Sequence, residues 1–246
     1  MDTYRAGLIV PSSNTTMEVD FHRTLPEEVE TATARMYLED TTREGEIRMI
    51  EDSLPEAARA LRTMKPDVAV FGCTSGGALF GRDYDRRIQE SIEATTGTEA
   101  ITILSALGEE FGLLGARRLV VLTPYTPDLT EAVGASLQED GLEVLFIRGM
   151  GIVENTRIGG LSGAEILAFA RETIPSSLLA RADCLFISCT NLPAVRALHL
   201  LRSAYPGLPI MTSNLAAIQA VRRRHEAARA RASVNSPAPG APAGKS

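Results

Sequence analysis

The chain has 246 residues, 44% hydrophobic and 23% charged, which is the profile of a soluble globular protein with one large domain or two small ones. That balance excludes a disordered chain, a collagen-like repeat and a small disulfide scaffold, and no apolar run approaches the length of a membrane span. The net charge is −6, yet residues 222–246 carry six Lys/Arg against one Glu, so the rest stands at −11, an acidic body that speaks against nucleic-acid binding.

The start, Met1-Asp2-Thr3-Tyr4-Arg5, lacks the basic beginning and long apolar stretch of a signal peptide. A cytoplasmic protein with three reduced cysteines is expected. A short apolar strand, Gly7-Leu8-Ile9-Val10-Pro11, leads to Ser12-Ser13-Asn14, and Thr15-Thr16-Met17-Glu18 has capping-box spacing for a helix. A helical pattern follows over Glu44–Met64, with Thr41 and Glu44 as its start signal. Then comes Asp67-Val68-Ala69-Val70-Phe71-Gly72-Cys73-Thr74-Ser75, an apolar run of buried-strand type ending in a Cys-Thr pair. Ala100–Leu104 is a further strand with a small-residue entry into a helix.

The second half repeats this order. Leu119–Thr123 leads to Pro124-Tyr125 and a helix over Leu129–Glu139. Asn155 lies between a strand and a helix over Gly163–Leu179 that starts with the capping box Ser162/Glu165. Asp183-Cys184-Leu185-Phe186-Ile187-Ser188-Cys189-Thr190-Asn191 matches the first Cys-Thr strand at Asp, Cys and Thr. Leu208–Thr212 matches Ala100–Leu104. Strands alternating with helices predict an α/β fold with parallel sheets, here two Rossmann-like lobes related by a pseudo-twofold axis. The boundaries are placed at 1–105 plus 214–224 for lobe one and 106–213 for lobe two. Arg222-Arg223-Arg224, with Arg229 and Arg231, reads as a fraying helix C-terminus that complements the helix dipole. Residues 226–246 read as a disordered tail.

Ligands of open parallel sheets bind beyond the carboxyl ends of the strands. Pro11–Asn14, Cys73–Ser75, Pro124-Tyr125 and Cys189–Asn191 all stand at such ends and converge if the lobes face each other. Cys73 and Cys189 are the most informative residues. A thiol leaving a strand for a helix N-terminus is placed for thiolate chemistry, and Gly76-Gly77 let backbone N–H groups approach a ligand. A single Cys at a strand end is ordinarily a small buried hydrophobe. Cys184, inside its strand, is assigned to the core on that ground. Two cysteines at matching ends of a duplicated unit point instead to a functional pair. His22, His199 and His225 show no ligand spacing and there is no C-x-x-C, so no metal is expected. His199 reads as a surface or interface residue.

Gly7-Leu8-Ile9-Val10-Pro11-Ser12-Ser13-Asn14-Thr15-Thr16-Met17-Glu18 resembles the maleate cis–trans isomerase group of the aspartate/glutamate racemase superfamily. Thr123-Pro124-Tyr125, Glu154-Asn155-Thr156-Arg157-Ile158-Gly159 and the two Cys motifs extend the resemblance over roughly residues 5–222. It implies a two-lobed α/β enzyme without metal or organic cofactor, with one cysteine supplied by each lobe. It also implies Asn14, Tyr125 and Asn155 as carboxylate-binding residues, and a homodimer or homotetramer. Cys-Thr-Ser and Cys-Thr-Asn resemble the motifs of racemases and arylmalonate decarboxylase-like relatives as well.

Each residue has a plainer reading too. Asn14 could shape a helix entrance, although Thr15 as the cap would leave it free. Tyr125 could pack, Asn155 could form a turn, and Thr74, Ser75, Thr190 and Asn191 could cap their own helices. Arg35 and Arg157 are the nearest cationic candidates, and nothing in the spacing forces either into the cleft.

The reading with most support is isomerisation of maleate to fumarate, with Cys73 as nucleophile and Cys189 as opposing acid/base. A racemase of a small carboxylic or amino acid, or a decarboxylase of a substituted malonate, would use the same two thiols. A two-lobed binding protein is the non-enzymatic alternative. All of the enzymatic readings need two sulfurs facing a common void roomy enough for a four-carbon diacid.

Overall fold

The computed structural model describes residues 3–235. Its strands form two separate four-stranded sheets, all of whose neighbours run parallel. The first holds β1 (Tyr4–Pro11), β2 (Val29–Met36), β3 (Val68–Phe71) and β4 (Ala100–Thr102) in the order β2-β1-β3-β4. The second holds β5 (Arg118–Thr123), β6 (Glu143–Gly149), β7 (Cys184–Ile187) and β8 (Ile210–Thr212) in the order β6-β5-β7-β8. The duplication in the sequence is thus a duplication of topology.

The central strands β3 and β7 are buried throughout, as apolar runs in sheets covered on both faces must be. The aspartate that precedes each has a structural task. Asp67 accepts the Arg5 N–H at 2.7 Å, and Asp183 accepts the Arg117 and Arg118 N–H groups at 3.0 and 2.8 Å. In both halves a carboxylate therefore ties down the start of the neighbouring central strand.

The helices of the first half are α1 (Met17–Thr24), α2 (Arg43–Arg48), α3 (Leu54–Arg62), α4 (Thr74–Ala78), α5 (Arg82–Thr96) and α6 (Ile103–Leu114). The expected helix 44–64 is interrupted by a π-turn, Met49–Ser53, just before Pro55. A proline lacks the N–H of the i→i−4 bond and its ring collides with that carbonyl, and a π-turn accommodates both. Its cap is Thr42, which accepts the Gly45 N–H at 3.1 Å, rather than Thr41.

The second half carries α7 (Pro127–Glu139), α8 (Asn155–Gly159), α9 (Gly163–Thr173), α10 (Ser176–Leu179), α11 (Ala194–Ala204) and α12 (Ser213–Asn235). The Ser162/Glu165 capping box is formed. The helix it starts stops at Thr173, because Pro175 disfavours a helical residue before it, and α10 begins anew. The strands expected over 100–104 and 208–212 end at Thr102 and Thr212, where helices begin.

Helix α12 leaves the second sheet and packs on α6 and α1 of the first half. It runs to Asn235, so residues 226–235 are helical where a disordered tail was expected, and residues 236–246 lie outside the described residues. Ala-rich sequence favours this continuation. The basic run is no frayed end: Arg223 pairs with Glu109 and Glu110, and Arg224 with Glu99 and Glu109. Among the described residues, no helix is long and apolar enough to cross a membrane.

Candidate active site

Four strand ends meet between the sheets. Cys73, Cys189, Asn14, Thr74, Ser75, Tyr125, Asn155, Thr190 and Asn191 all line one cavity there, with Pro11, Leu38, Thr41 and Glu46 completing its wall. Every one of the nine expected residues is buried. The cavity has a free volume of about 10 Å³, roughly the room of one water molecule. The void is therefore common to both sulfurs but narrow, and smaller than a four-carbon diacid requires. Two loops meet over it, with the Thr41 N–H donating to the Val153 carbonyl at 3.0 Å.

The two thiols are held in similar ways. Cys73 is the residue preceding α4, whose first turn holds Gly76. A Cβ on residue 76 would lie 3.0 Å from the Cys73 sulfur, so glycine permits the approach. On the other side, the Asn191 N–H donates to the Cys189 Sγ at 3.3 Å, joined by the Leu192 N–H and the Tyr125 hydroxyl. Cys189 has φ +99°, a conformation that L side chains rarely adopt, and such strain gathers at functional sites. Cys184 is fully buried inside β7, as expected of a core residue.

Burial, the Glu46 charge and the Cys189 charge push the Cys73 thiol well up against the opposing pull of the Gly76 N–H and Ser75. Burial pushes Cys189 up to about 11, although the Tyr125 hydroxyl and two backbone N–H groups pull it down. Tyr125 is itself held well above the usual phenol range by burial and by both cysteines. Both thiols are thus protonated at neutrality in this form, with donors already in place for the thiolates.

The carboxamides and hydroxyls join the lobes. Asn14 Oδ1 accepts the Thr16 and Met17 N–H groups at 3.0 Å each, while its Nδ2 donates to Thr190 Oγ1 at 3.0 Å. Asn14 is therefore the side chain that caps α1, and the expectation that Thr15 would do so and leave Asn14 free is corrected. Thr15 instead donates its N–H to Asn191 Oδ1 at 2.8 Å. Asn191 Nδ2 donates to the Asn155 backbone and side-chain oxygens, and Asn155 Nδ2 donates to Ser13 Oγ at 2.8 Å. Arg35 donates to the Asn14 carbonyl from outside the cavity wall, Arg157 is exposed, and His199 is exposed on α11.

Three residues here were not singled out from the sequence. Ser213 Oγ, fully buried, accepts both the Thr74 hydroxyl at 2.9 Å and the Cys189 N–H at 3.0 Å, so one atom ties both thiol loops together. Asn214 bridges Asp20 and the Thr190 carbonyl, each at 2.9 Å. Glu46 is buried beside Cys73, and burial pushes its carboxyl up to about 8. Its signal was legible: Glu46 shares a helix stripe with the buried Met49 and Ile50, where a charged residue is out of place.

The family model described as arylmalonate decarboxylase matches residues 6–235. A maleate isomerase of Nocardia farcinica is 27% identical over 233 residues, covering 91% of this chain and 90% of its own length. An arylmalonate decarboxylase of Bordetella bronchiseptica is 26% identical over 229 residues, covering 92% of each. A cysteine-to-alanine variant of the maleate isomerase from Pseudomonas putida S16, solved with maleate, superposes with a TM-score of 0.79 at 26% identity. That match covers 87% of this chain and 88% of the other.

Proposed function

We propose, since the chain belongs to the arylmalonate decarboxylase family, that it is an isomerase that converts maleate to fumarate with two cysteines and no cofactor. The observation that carries this reading is that Cys73 and Cys189, from equivalent strand ends of two equivalent sheets, line one cavity.

A cis double bond cannot rotate, so it must become single for a moment. As the cavity widens, Cys73 gives its proton to solvent; the thiolate forms a C–S bond to one alkene carbon, and the π pair moves to the neighbouring carbon and its carboxylate as an enediolate. The Tyr125 hydroxyl and the amides of Asn14, Asn155 and Asn191 hold the carboxylates, exchanging inter-lobe bonds for substrate oxygens as the cavity widens. Thr74, Ser75 and Thr190 border the reacting carbons with hydroxyl and backbone donors. Cys189 gives its proton to the enediolate carbon, the resulting single bond turns, and the Cys189 thiolate takes a proton back. The C–S pair returns to sulfur and the trans diacid leaves.

The test is a proton NMR time course of maleate and fumarate. Cys73→Ser and Cys189→Ser should each slow conversion by about 10²–10⁴-fold while leaving the fold intact. A wild-type protein that leaves maleate untouched at every pH tried refutes the substrate.

The near equivalence of the two thiol surroundings favours one second reading. One thiolate would remove an α-proton and the opposite thiol would return one, as in racemisation or in protonation after loss of carbon dioxide from a substituted malonate. Deuterium entering the α-position of a carboxylic acid in deuterated water, with maleate unchanged, selects it.

A further inference from the structure

One wall of the cavity has no part in the steps above. It is built by the segment 38–46, which brings Thr41 and Glu46 to the side of Cys73. Glu46 is 1% exposed and Thr41 3%. Glu46 Oε1 accepts from the Ser75 hydroxyl and from the Cys73 thiol, the latter at 3.9 Å. Glu46 Oε2 and Thr41 Oγ1 are both buried and have no hydrogen-bond partner. Buried polar groups are almost always paired, so two orphans on one cavity wall mark a place where something else completes them.

The protonation of Glu46 decides what that is. Two donors already point at Oε1, which leaves the carboxyl proton to Oε2. Burial holds this acid protonated to about pH 8, against the pull of Ser75 and Arg43. Oε2 is then an O–H donor without an acceptor, on the same cavity wall as the unpartnered hydroxyl of Thr41. The cavity wall contains no Lys, Arg or His. Two neutral O–H donors suit an anion with two oxygens, and a neutral acid can donate where a carboxylate would repel.

We propose that Thr41 Oγ1 and protonated Glu46 Oε2 form a subsite that receives one carboxylate of the substrate and sets its neighbouring carbon over Cys73. This rests on the reading that the ligand is a dicarboxylate.

The groups facing Glu46 are Cys73, Cys189 and Tyr125 in the cavity, Asp128 on α7, Arg43 on α2 and Tyr84 on α5. Burial holds both thiols and both tyrosines above their usual ranges, while Asp128 lies below its own and stays ionised. Among these groups Glu46 is therefore the first to titrate as the pH rises from neutrality. Its ionisation would turn the subsite against a carboxylate.

The probe is succinate, a four-carbon diacid with no double bond to react, bound to the full chain and followed by isothermal titration calorimetry. The dissociation constant should be steady below neutrality and rise about tenfold per pH unit above about 8. Glu46→Gln, whose amide still donates, should bind within a few-fold of wild type at neutrality and lose that pH dependence. Thr41→Val should weaken binding several-fold while keeping it. Should Glu46→Gln not fold, wild type alone is decisive: near pH 8, measured in buffers of different ionisation enthalpy, succinate should take up about half a proton.

No uptake, proton release, an alkaline loss that survives in Glu46→Gln, or no succinate binding at any pH overturns the proposal. Tighter binding of aspartate than of succinate above pH 8 assigns Glu46 to an ammonium group and equally overturns it. Maleate that binds with this pH dependence but is not isomerised leaves the subsite standing and removes the isomerase reading.

Discussion

Replacing Ser213 with alanine removes a single oxygen, and with it the acceptor for two buried donors from opposite halves of the chain, the Thr74 hydroxyl and the Cys189 N–H. A buried donor left unpaired costs about 1–3 kcal/mol, so the gross loss for two is about 2–6 kcal/mol. Part of it returns if the 189 backbone relaxes from φ +99°, since strain of that kind amounts to about 1–3 kcal/mol. A net loss of about 2–4 kcal/mol lowers the Tm of a chain this long by about 5–15 °C. Thermal unfolding of Ser213→Ala, Thr74→Val and the double variant measures it. With Thr74→Val already in place, one donor is gone and Ser213→Ala should cost about 1–3 kcal/mol less. A Tm change under about 2 °C, or the same cost in both backgrounds, refutes the idea that this hydroxyl joins the two thiol loops.

Tyr125→Phe keeps the buried ring but takes the hydroxyl from the Cys189 sulfur, so turnover should fall about 10–100-fold with little change in Tm. A Tm loss as large as the Ser213 effect would mean the hydroxyl holds the fold together rather than serving turnover. Asp85 is raised to about 7 by burial, with Thr102 Oγ1 its donor. A carboxyl raised on folding holds its proton longer in the native state than in the unfolded chain, so stability is full below the unfolded pKa and declines as pH rises through about 7. Asp85→Asn should abolish about 2–4 kcal/mol of that decline between about pH 4 and 8, measured by urea unfolding, and an unchanged slope contradicts it.

The parts of the fold legible in the sequence were those set by local chemistry. The central strands announced themselves as apolar runs, and the repeated Asp, Cys and Thr aligned β3 with β7. The edge strand β2 did not. Val29–Met36 is built of Thr, Ala and charged residues on a half-exposed edge, with no apolar run to mark it. The π-turn before Pro55 depends on how a helix absorbs a missing N–H, which periodicity does not report.

At the site, all nine residues picked from the sequence line the cavity: eight follow the ends of β1, β3, β5 and β7, and Asn155 opens α8. What escaped was pairing across the lobes. Asn14 serves as cap and inter-lobe donor at once, which needs Thr190 from the other half to be seen. Ser213 acts through Thr74, far away in the chain.

The central claim is that Cys73 attacks the alkene while Cys189 works from the opposite face. The most direct measurement is peptide mass spectrometry of the Cys189→Ser variant after incubation with maleate, with Cys73→Ser as control. One maleate should be added to Cys73 in the first variant and no adduct should form in the second. An adduct on the residue-189 peptide of the control, or none on Cys73 in an enzyme that still isomerises maleate, would contradict it.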